Sequence, residues 1–497
     1  MTEAIIGIDA GTSTIKVVAF TLDGDQLVRR TRPTPVVRPG QGLVEQDMAV
    51  TWERTAAAIS DVVAVADGDV AAVGVTGQGG GCWLVDADGD PVRNAVLWSD
   101  GRAADYVDEW RTDGTYDAVF DTFGYGLFPG MALPIFRWLR EEAPDAVDRT
   151  TTAFACKDWL KFRLTGERTT DPSDASLMHY RPADGEFDAA VVERLGAGGL
   201  AERIPELARG TDVVGRVTES AAAATDLPAG TPVISGVMDV AAAAFGSGAA
   251  TPGSNSVVLG TTLQCQTVLA EPVFEPPRAG YTLALGVEGL GLRAMGAMAG
   301  TPNLDWATET LGVDVDRAET MARAAPVGAD GVAYHPYLSA AGEKAPFVAP
   351  GARAQFTGLT PEHGREHLLR AVYEGVALAA RDCCAALPGD VDRLSLSGGG
   401  ARSELWCQLF ADCLDATVAV PAGEEFGARG VALLAGLATD AYDDLTDAID
   451  RTTRVKRSYE PRPVSATKYD RWFEFYRESR EAMVEVWKRR RRALATL

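Results

Sequence analysis

Asp9 closes an isoleucine-rich stretch (Ile5, Ile6, Ile8) and is followed at once by Gly11-Thr12-Ser13-Thr14, with Lys16 just beyond. A carboxylate, a turn of small hydroxyl-bearing residues and a cation at this spacing suit either a phosphate cradle or a polar turn between strands. A nucleotide-binding P-loop would read GxxxxGK[ST] and run into a helix. Here Val17, Val18, Ala19 and Phe20 continue as a strand, so the ordinary P-loop is excluded. The pattern returns 249 positions later at Gly260-Thr261-Thr262, again between two strand-like runs. A third turn, Gly398-Gly399-Gly400, separates a strand over 393–397 from a helix over 403–414; a strand over 416–420 completes a βαβ unit. Asp239 stands between the strand-like Pro232–Gly236 and an apolar helical run, Val240–Phe245. At that junction a carboxylate either caps the helix or faces a cleft as a base.

The elements that position these groups follow from periodicity. Residues 5–37 read as a meander of three strands, and 52–66 as a helix. A buried strand over 73–76 leads into Gln78-Gly79-Gly80-Gly81, and 130–180 is mainly helical with proline interruptions. Small residues over 246–255 suggest a hinge. Two similar hairpins, each opening one half of the chain, imply a duplicated domain that grips one phosphate chain from both sides.

Composition narrows the classes. With 497 residues, 46% of them hydrophobic, the chain is long enough for two or three domains with sizeable cores. Seventy acidic residues against 47 basic ones give a net charge of −23, a surface that repels nucleic acid. Only seven of the cations are lysine, and a halophilic setting, where salt screens the self-repulsion, is the expectation. The basic run Lys488 to Arg492 suits a helix C-terminus. No apolar run is long enough to span a bilayer and no leader precedes the first strand, so a cytoplasmic protein without membrane contact is expected. Seven cysteines without a CxxC pair argue against disulfide or zinc frameworks. His363 and His367 lie four apart but lack the intervening Glu of a metalloprotease helix.

Taken together the motifs resemble those of the FGGY carbohydrate kinases, the group that includes glycerol, xylulose and gluconate kinases. The most specific match is Ala354 to Glu374, AQFTGLTPEHGREHLLRAVYE. Trp98-Ser99-Asp100-Gly101-Arg102-Ala103, Gly236-Val237-Met238-Asp239 and the three glycine turns follow in the family's order along essentially the whole chain. The resemblance implies an α/β fold of two ribonuclease-H-like domains of the actin-like ATPase type, with a cleft between them. The expected boundaries are 1–248 for sugar, phosphate and catalytic Asp, and 254–497 for nucleotide.

It also implies roles. Asp239 matches the catalytic base, and Asp9 the carboxylate that holds Mg²⁺. Thr12, Ser13 and Thr14, with Lys16 beside them, match the first phosphate turn. Thr261 matches the second, and Gly300, Asn303, Gly399 and Ser403 the remaining ATP contacts. Gln78, Gly79 and Gly80 fall where relatives contact the sugar. ATP and Mg²⁺ are thus the expected cofactors, a small sugar or polyol the expected partner, and a homodimer a compatible assembly. Three departures matter. Ile135 stands three residues before Trp138, where the family usually has lysine, and Ser403 replaces a frequent asparagine. Gln78-Gly79-Gly80-Gly81 lacks both the Arg-Glu pair of glycerol kinases and the His of many xylulose kinases. An open glycine wall with room for a ketopentose such as xylulose is the leading expectation, with an erythritol- or glycerol-type polyol as the alternative. A non-catalytic actin-like module that binds ATP and sugar is the reading from another class.

Overall fold

The computed structural model describes residues 3–66, 69–274, 277–287 and 289–494. The first half is built on a six-stranded sheet. Its strands are β1 (Ala4–Ala10), β2 (Thr14–Thr21), β3 (Gln26–Pro33), β4 (Val70–Gly77), β5 (Val213–Arg216) and β6 (Pro232–Ile234), in the order β5-β6-β4-β1-β2-β3. β1 is buried along its whole length except at Asp9, because it lies mid-sheet with both faces covered. Helix α1 (Met48–Val63) packs on β2 and β3, and its start is capped by the Asp47 carboxylate accepting from Val50 N–H at 2.9 Å. Helix α2 (Cys156–Thr165) lies under β4, and helix α3 (Asp239–Gly246) leaves the sheet after β6.

The second half repeats the plan. Strands β7 (Asn255–Leu259), β8 (Leu263–Leu269), β9 (Tyr281–Ala284), β10 (Gly291–Ala297), β11 (Arg393–Ser397), β12 (Thr417–Pro421) and β13 (Val455–Tyr459) take the order β9-β10-β8-β7-β11-β12-β13. β7 pairs antiparallel with β8 and parallel with β11, just as β1 pairs antiparallel with β2 and parallel with β4. The turns agree as well: Gly11 N–H donates to Thr14 C=O at 3.0 Å, and Gly260 N–H to Thr262 C=O at 3.0 Å. This is the duplication that the two hairpins imply, and it fits the pair of ribonuclease-H-like domains that the resemblance implies. Helices α4 (Pro302–Leu311), α5 (Arg365–Cys384) and α6 (Glu404–Leu414) build the second core. Ser403 caps α6, accepting from Trp406 N–H at 3.1 Å.

One element crosses over. Helix α7 (Phe426–Ala438) follows β12 in the second half but packs on β1 and β4 of the first sheet and against α3. Glycine makes this possible. A Cβ at Gly7 would sit 2.0 Å from Ala428 O, and one at Gly74 would sit 2.2 Å from Val431 O. Between the helices the approach is as close: a Cβ at Gly246 would meet Phe426 O at 1.9 Å, and one at Gly430 would meet Ala242 O at 1.9 Å. The last helix, α8 (Pro463–Leu494), carries the basic run at its C-terminal end.

All seven cysteines are free and buried. His363 and His367 serve turns: Thr360 N–H donates to His363 Nδ1 at 2.9 Å, and Gly364 N–H to His367 Nδ1 at 3.1 Å. No helix among the described residues is long and apolar enough to cross a membrane.

The helix contact generates a prediction. Gly430→Ala drives a methyl group into the backbone of α3, and an overpacked site of this kind costs about 1–3 kcal/mol. Urea unfolding should show the midpoint falling accordingly; an unchanged midpoint would mean that the two helices separate freely.

Candidate active site

Asp239 opens α3 beside a cavity of about 280 Å³ between the two halves, which both hydroxyl turns enter through Thr12 and Thr262. Its Oδ1 accepts from Val240 N–H at 2.8 Å. Burial pushes the Asp239 carboxyl up to about 7; the charge of Asp9 adds to the shift and the Val240 N–H opposes it. Asp9, at the end of β1, faces Lys16 across the β1–β2 pair, with Lys16 Nζ 3.8 Å from its Oδ2. Burial holds the Asp9 carboxyl above its ordinary value; Lys16 offsets this and Glu425 reinforces it. Lys16 also binds Glu425, immediately before α7, at 2.9 Å, and Arg29 reaches the same carboxylate at 2.7 Å. The first turn is thus tied to the second half by charge. Ser13 and Thr261, at the two turn tips, are exposed.

A buried ionic cluster fixes the loop that delivers Asp239. Lys157 and Lys161, on α2, are fully enclosed. Lys157 Nζ lies 2.6 Å from Asp158, 2.9 Å from Asp171 and 3.4 Å from Asp174; Lys161 lies 3.0 Å from Asp158. Burial alone would depress Lys157, yet the three carboxylates hold it well above its ordinary value. Asp171 accepts from Ser173 Oγ at 2.6 Å, and Ser173 Oγ accepts from Met238 N–H at 2.8 Å. From the other side Thr76 Oγ1 donates to Val237 C=O at 2.6 Å. The backbone on the approach to Asp239 is therefore clamped at Val237 and Met238.

Several sequence-expected residues are engaged within the protein. Gln78 is 3% exposed; its Oε1 accepts from Thr12 Oγ1 at 3.0 Å and its Nε2 donates to Gln46 at 2.9 Å. Trp98 Nε1 donates to Thr12 Oγ1 at 2.8 Å. Gln78 and Trp98 therefore orient the Thr12 turn. Asp100 accepts from Val44 N–H at 2.6 Å and from Arg102 Nε at 2.8 Å, while Arg102 lies over the Trp138 ring at 4.8 Å. That motif is a strut under the cavity wall. The open glycine wall expected from the sequence needs correction. A Cβ at Gly79 would meet Met238 Sδ at 1.9 Å, so a side chain from the Asp239 loop already fills that space. Gly80 has φ +73°, with Trp98 Cβ and Gly130 O 3.3 and 3.4 Å from where its Cβ would be.

On the second half, Gly300 abuts Thr261, where a Cβ would lie 2.2 Å from Thr261 O. Asn303 is buried, donating to Gly300 C=O at 3.0 Å and accepting from Tyr334 OH at 2.9 Å. Gly399 begins the short turn before Ser403, whose hydroxyl donates to Glu319 at 2.7 Å. Three groups that the sequence did not single out also matter. Glu425 precedes α7 as Asp239 begins α3, a correspondence visible only once the duplication is in view. Gln264, on β8 at the cavity, has a buried Nε2 without a partner. Lys344 brings its ammonium to 5.9 Å from the Trp98 ring and 6.0 Å from the Phe128 ring.

Comparison with known proteins agrees with this architecture. Residues 4–246 match the N-terminal domain of the FGGY family of carbohydrate kinases, and residues 255–439 match its C-terminal domain. The chain belongs to that family and is an ATP-dependent phosphotransferase acting on an alcohol group. It is 36% identical to an erythritol kinase of Brucella abortus over 508 residues, covering 98% of this chain and 97% of that one. It is 31% identical to a xylulose kinase of Escherichia coli, covering 89% and 92%. A solved xylulose kinase from Rhodospirillum rubrum superposes with a TM-score of 0.89 at 29% identity, covering 98% of this chain and 100% of that one.

The Gln78 network can be tested by kinetics. Gln78→Leu leaves Thr12 and Gln46 without their partners, which should lower kcat/KM for ATP about tenfold while shifting the sugar KM less than about threefold. A large rise in sugar KM with unchanged ATP kinetics would instead make Gln78 a substrate contact.

Proposed function

We propose that the chain transfers the γ-phosphate of ATP to a terminal hydroxyl of a small polyol of the erythritol class, with Asp239 as general base. The observation that carries the mechanism is the Asp239 carboxyl, raised to about 7 at a cavity into which both phosphate turns open. The attacking hydroxyl gives its proton to Asp239 as its oxygen bonds to the γ-phosphorus, and the bond to the ADP oxygen breaks. Backbone N–H groups of the Thr12-Ser13-Thr14 turn and the hydroxyls of Ser13 and Thr14 on one side, and Thr261 on the other, donate to the phosphate oxygens, while the Thr12 hydroxyl stays bonded to Gln78. Lys16 supplies positive charge beside the first turn. Gly300, Asn303, Gly399 and Ser403 form the nucleotide wall.

Asp9 fits a magnesium ion. It has a cation only at 3.8 Å, and carboxylate oxygen completed by phosphate oxygens is a donor set that Mg²⁺ accepts. Bound there, the ion would neutralise charge on the transferring phosphoryl group.

The polyol reading departs from the ketopentose expected from the sequence. The walls near Asp239 are largely apolar, formed by Trp98, Tyr125, Phe128, Leu177 and Met238. Gln78 is spent on Thr12, which leaves Gln264 Nε2 and Lys344 as nearby donors for substrate hydroxyls. A short polyol asks for few partners, and the 36% identity to an erythritol kinase favours the same class. A ketopentose is the second reading, supported by the xylulose kinases among the relatives.

Asp239→Asn should lower kcat by at least about a hundredfold with nucleotide affinity within about threefold. In the parent enzyme, kcat/KM for the polyol should fall as pH drops through about 7, since protonated Asp239 no longer accepts the proton. Near-normal turnover in the variant would remove Asp239 from the mechanism. A substrate panel of glycerol, erythritol, D-xylulose, L-xylulose and D-ribulose decides the second point. Erythritol should exceed glycerol at least about tenfold in kcat/KM, equivalent to roughly 1.4 kcal/mol. Xylulose as best substrate would establish the second reading.

A further inference from the structure

Behind the loop that carries Glu343 and Lys344, a separate cavity of about 460 Å³ opens between β10, α5 and α8. Arg293, Arg477 and Arg480 line it, opposed by Asp382 and Glu481. Arg480 is neutralised there, with Asp382 at 3.1 Å and Glu481 at 3.0 Å, and it lies 4.6 Å over the Phe347 ring. Arg477, exposed on α8, has Glu481 at 3.9 Å. Arg293 is different. It is 1% exposed, and its Nη2 donates only to carbonyls, Pro277 at 3.1 Å and Ala279 at 2.7 Å. Its Nη1 has no partner, and no carboxylate offsets the burial that pulls its pKa down to about 10.

A guanidinium buried without a counter-ion is strongly unfavourable, whereas one that receives an anion is not. Its planar fork matches the geometry of phosphate oxygens. The three arginines exceed the two carboxylates by one positive charge. We propose that this cavity is an anion site for a phosphate group, free or as the monoester of a small polyol, with Arg293 as its floor and Arg477 at its mouth. The site is distinct from the catalytic cleft. Phe347, under Arg480, lies three residues from Lys344, so the site adjoins the loop that reaches the sugar cavity.

The test uses the full chain with the cleft filled by saturating Mg²⁺ and a non-hydrolysable ATP analogue, so that the phosphate turns are occupied. Orthophosphate or erythritol 4-phosphate at 10 mM, roughly a hundredfold over a sub-millimolar dissociation constant, should raise the melting temperature by about 2 °C or more. Arg293→Met should abolish the shift, and Arg477→Gln should at least halve it. If Arg293→Met does not fold, Arg477→Gln decides alone, because that side chain is exposed. A larger shift with the ester identifies a phosphate ester as the ligand, and a larger shift with orthophosphate identifies the free ion. No shift in the parent protein, or an equal shift in parent and folded variants, would overturn the proposal.

Discussion

Helices α3 and α7 meet backbone to backbone, and that contact organises the molecule. With Gly246 and Gly430 at the crossing, carbonyls of one helix occupy the space where a side chain of the other would stand. A contact of this kind tolerates little separation, since no flexible side chain can extend to bridge a gap. Its consequence is placement. Asp239 begins one of the two helices and Glu425 immediately precedes the other, so a single packing distance relates the Asp239 carboxylate to the partner of Lys16. Gly7 and Gly74 extend the same arrangement into the sheet, seating α7 against β1, the strand that carries Asp9.

Charge is distributed around this frame in a graded way. At the cleft, Asp9 and Asp239 are each raised by burial and by a neighbouring anion, a state that a bound cation relieves. One layer deeper, the Lys157 cluster sets two ammonium groups among three carboxylates and turns the result into a rigid seat for Val237 and Met238. The cleft carboxylates are left under-neutralised at the cavity, while the Lys157 cluster is held together by ion pairs within the protein. This division is what preorganised phosphoryl transfer needs.

The sequence displayed local features and concealed distant ones. Both hairpins, the βαβ unit around 393–420 and the junction at Asp239 depend on residues adjacent in the chain, and their patterns sit where the structure has them. Helix α1 begins earlier than the apolar period suggested, because Asp47 caps it from outside that period. The reading failed at Gly79, where missing side chains resembled empty space. Met238, more than half the first domain away in sequence, fills it. Gln78 misled in the same sense: a polar side chain after a buried strand looked available, yet Thr12 and Gln46 consume both ends of its amide. Glu425 and Lys344 gave no local signal, since each acquires meaning only from the opposite half of the chain.

The enclosed cluster around Lys157 also bears on how such sequences diverge. Removing one member strands its partners in a dry interior, a loss of several kcal/mol, whereas exchanging the whole group for well-packed apolar residues is often neutral. Intermediate sequences along that route are the disfavoured ones. Positions 157, 158, 161, 171 and 174 should therefore pass through lineages as a block, retained together or replaced together, while the residues lining the cavity beside Asp239 change one at a time. New substrate preferences would then arise on a base whose ancestry is older than any of them.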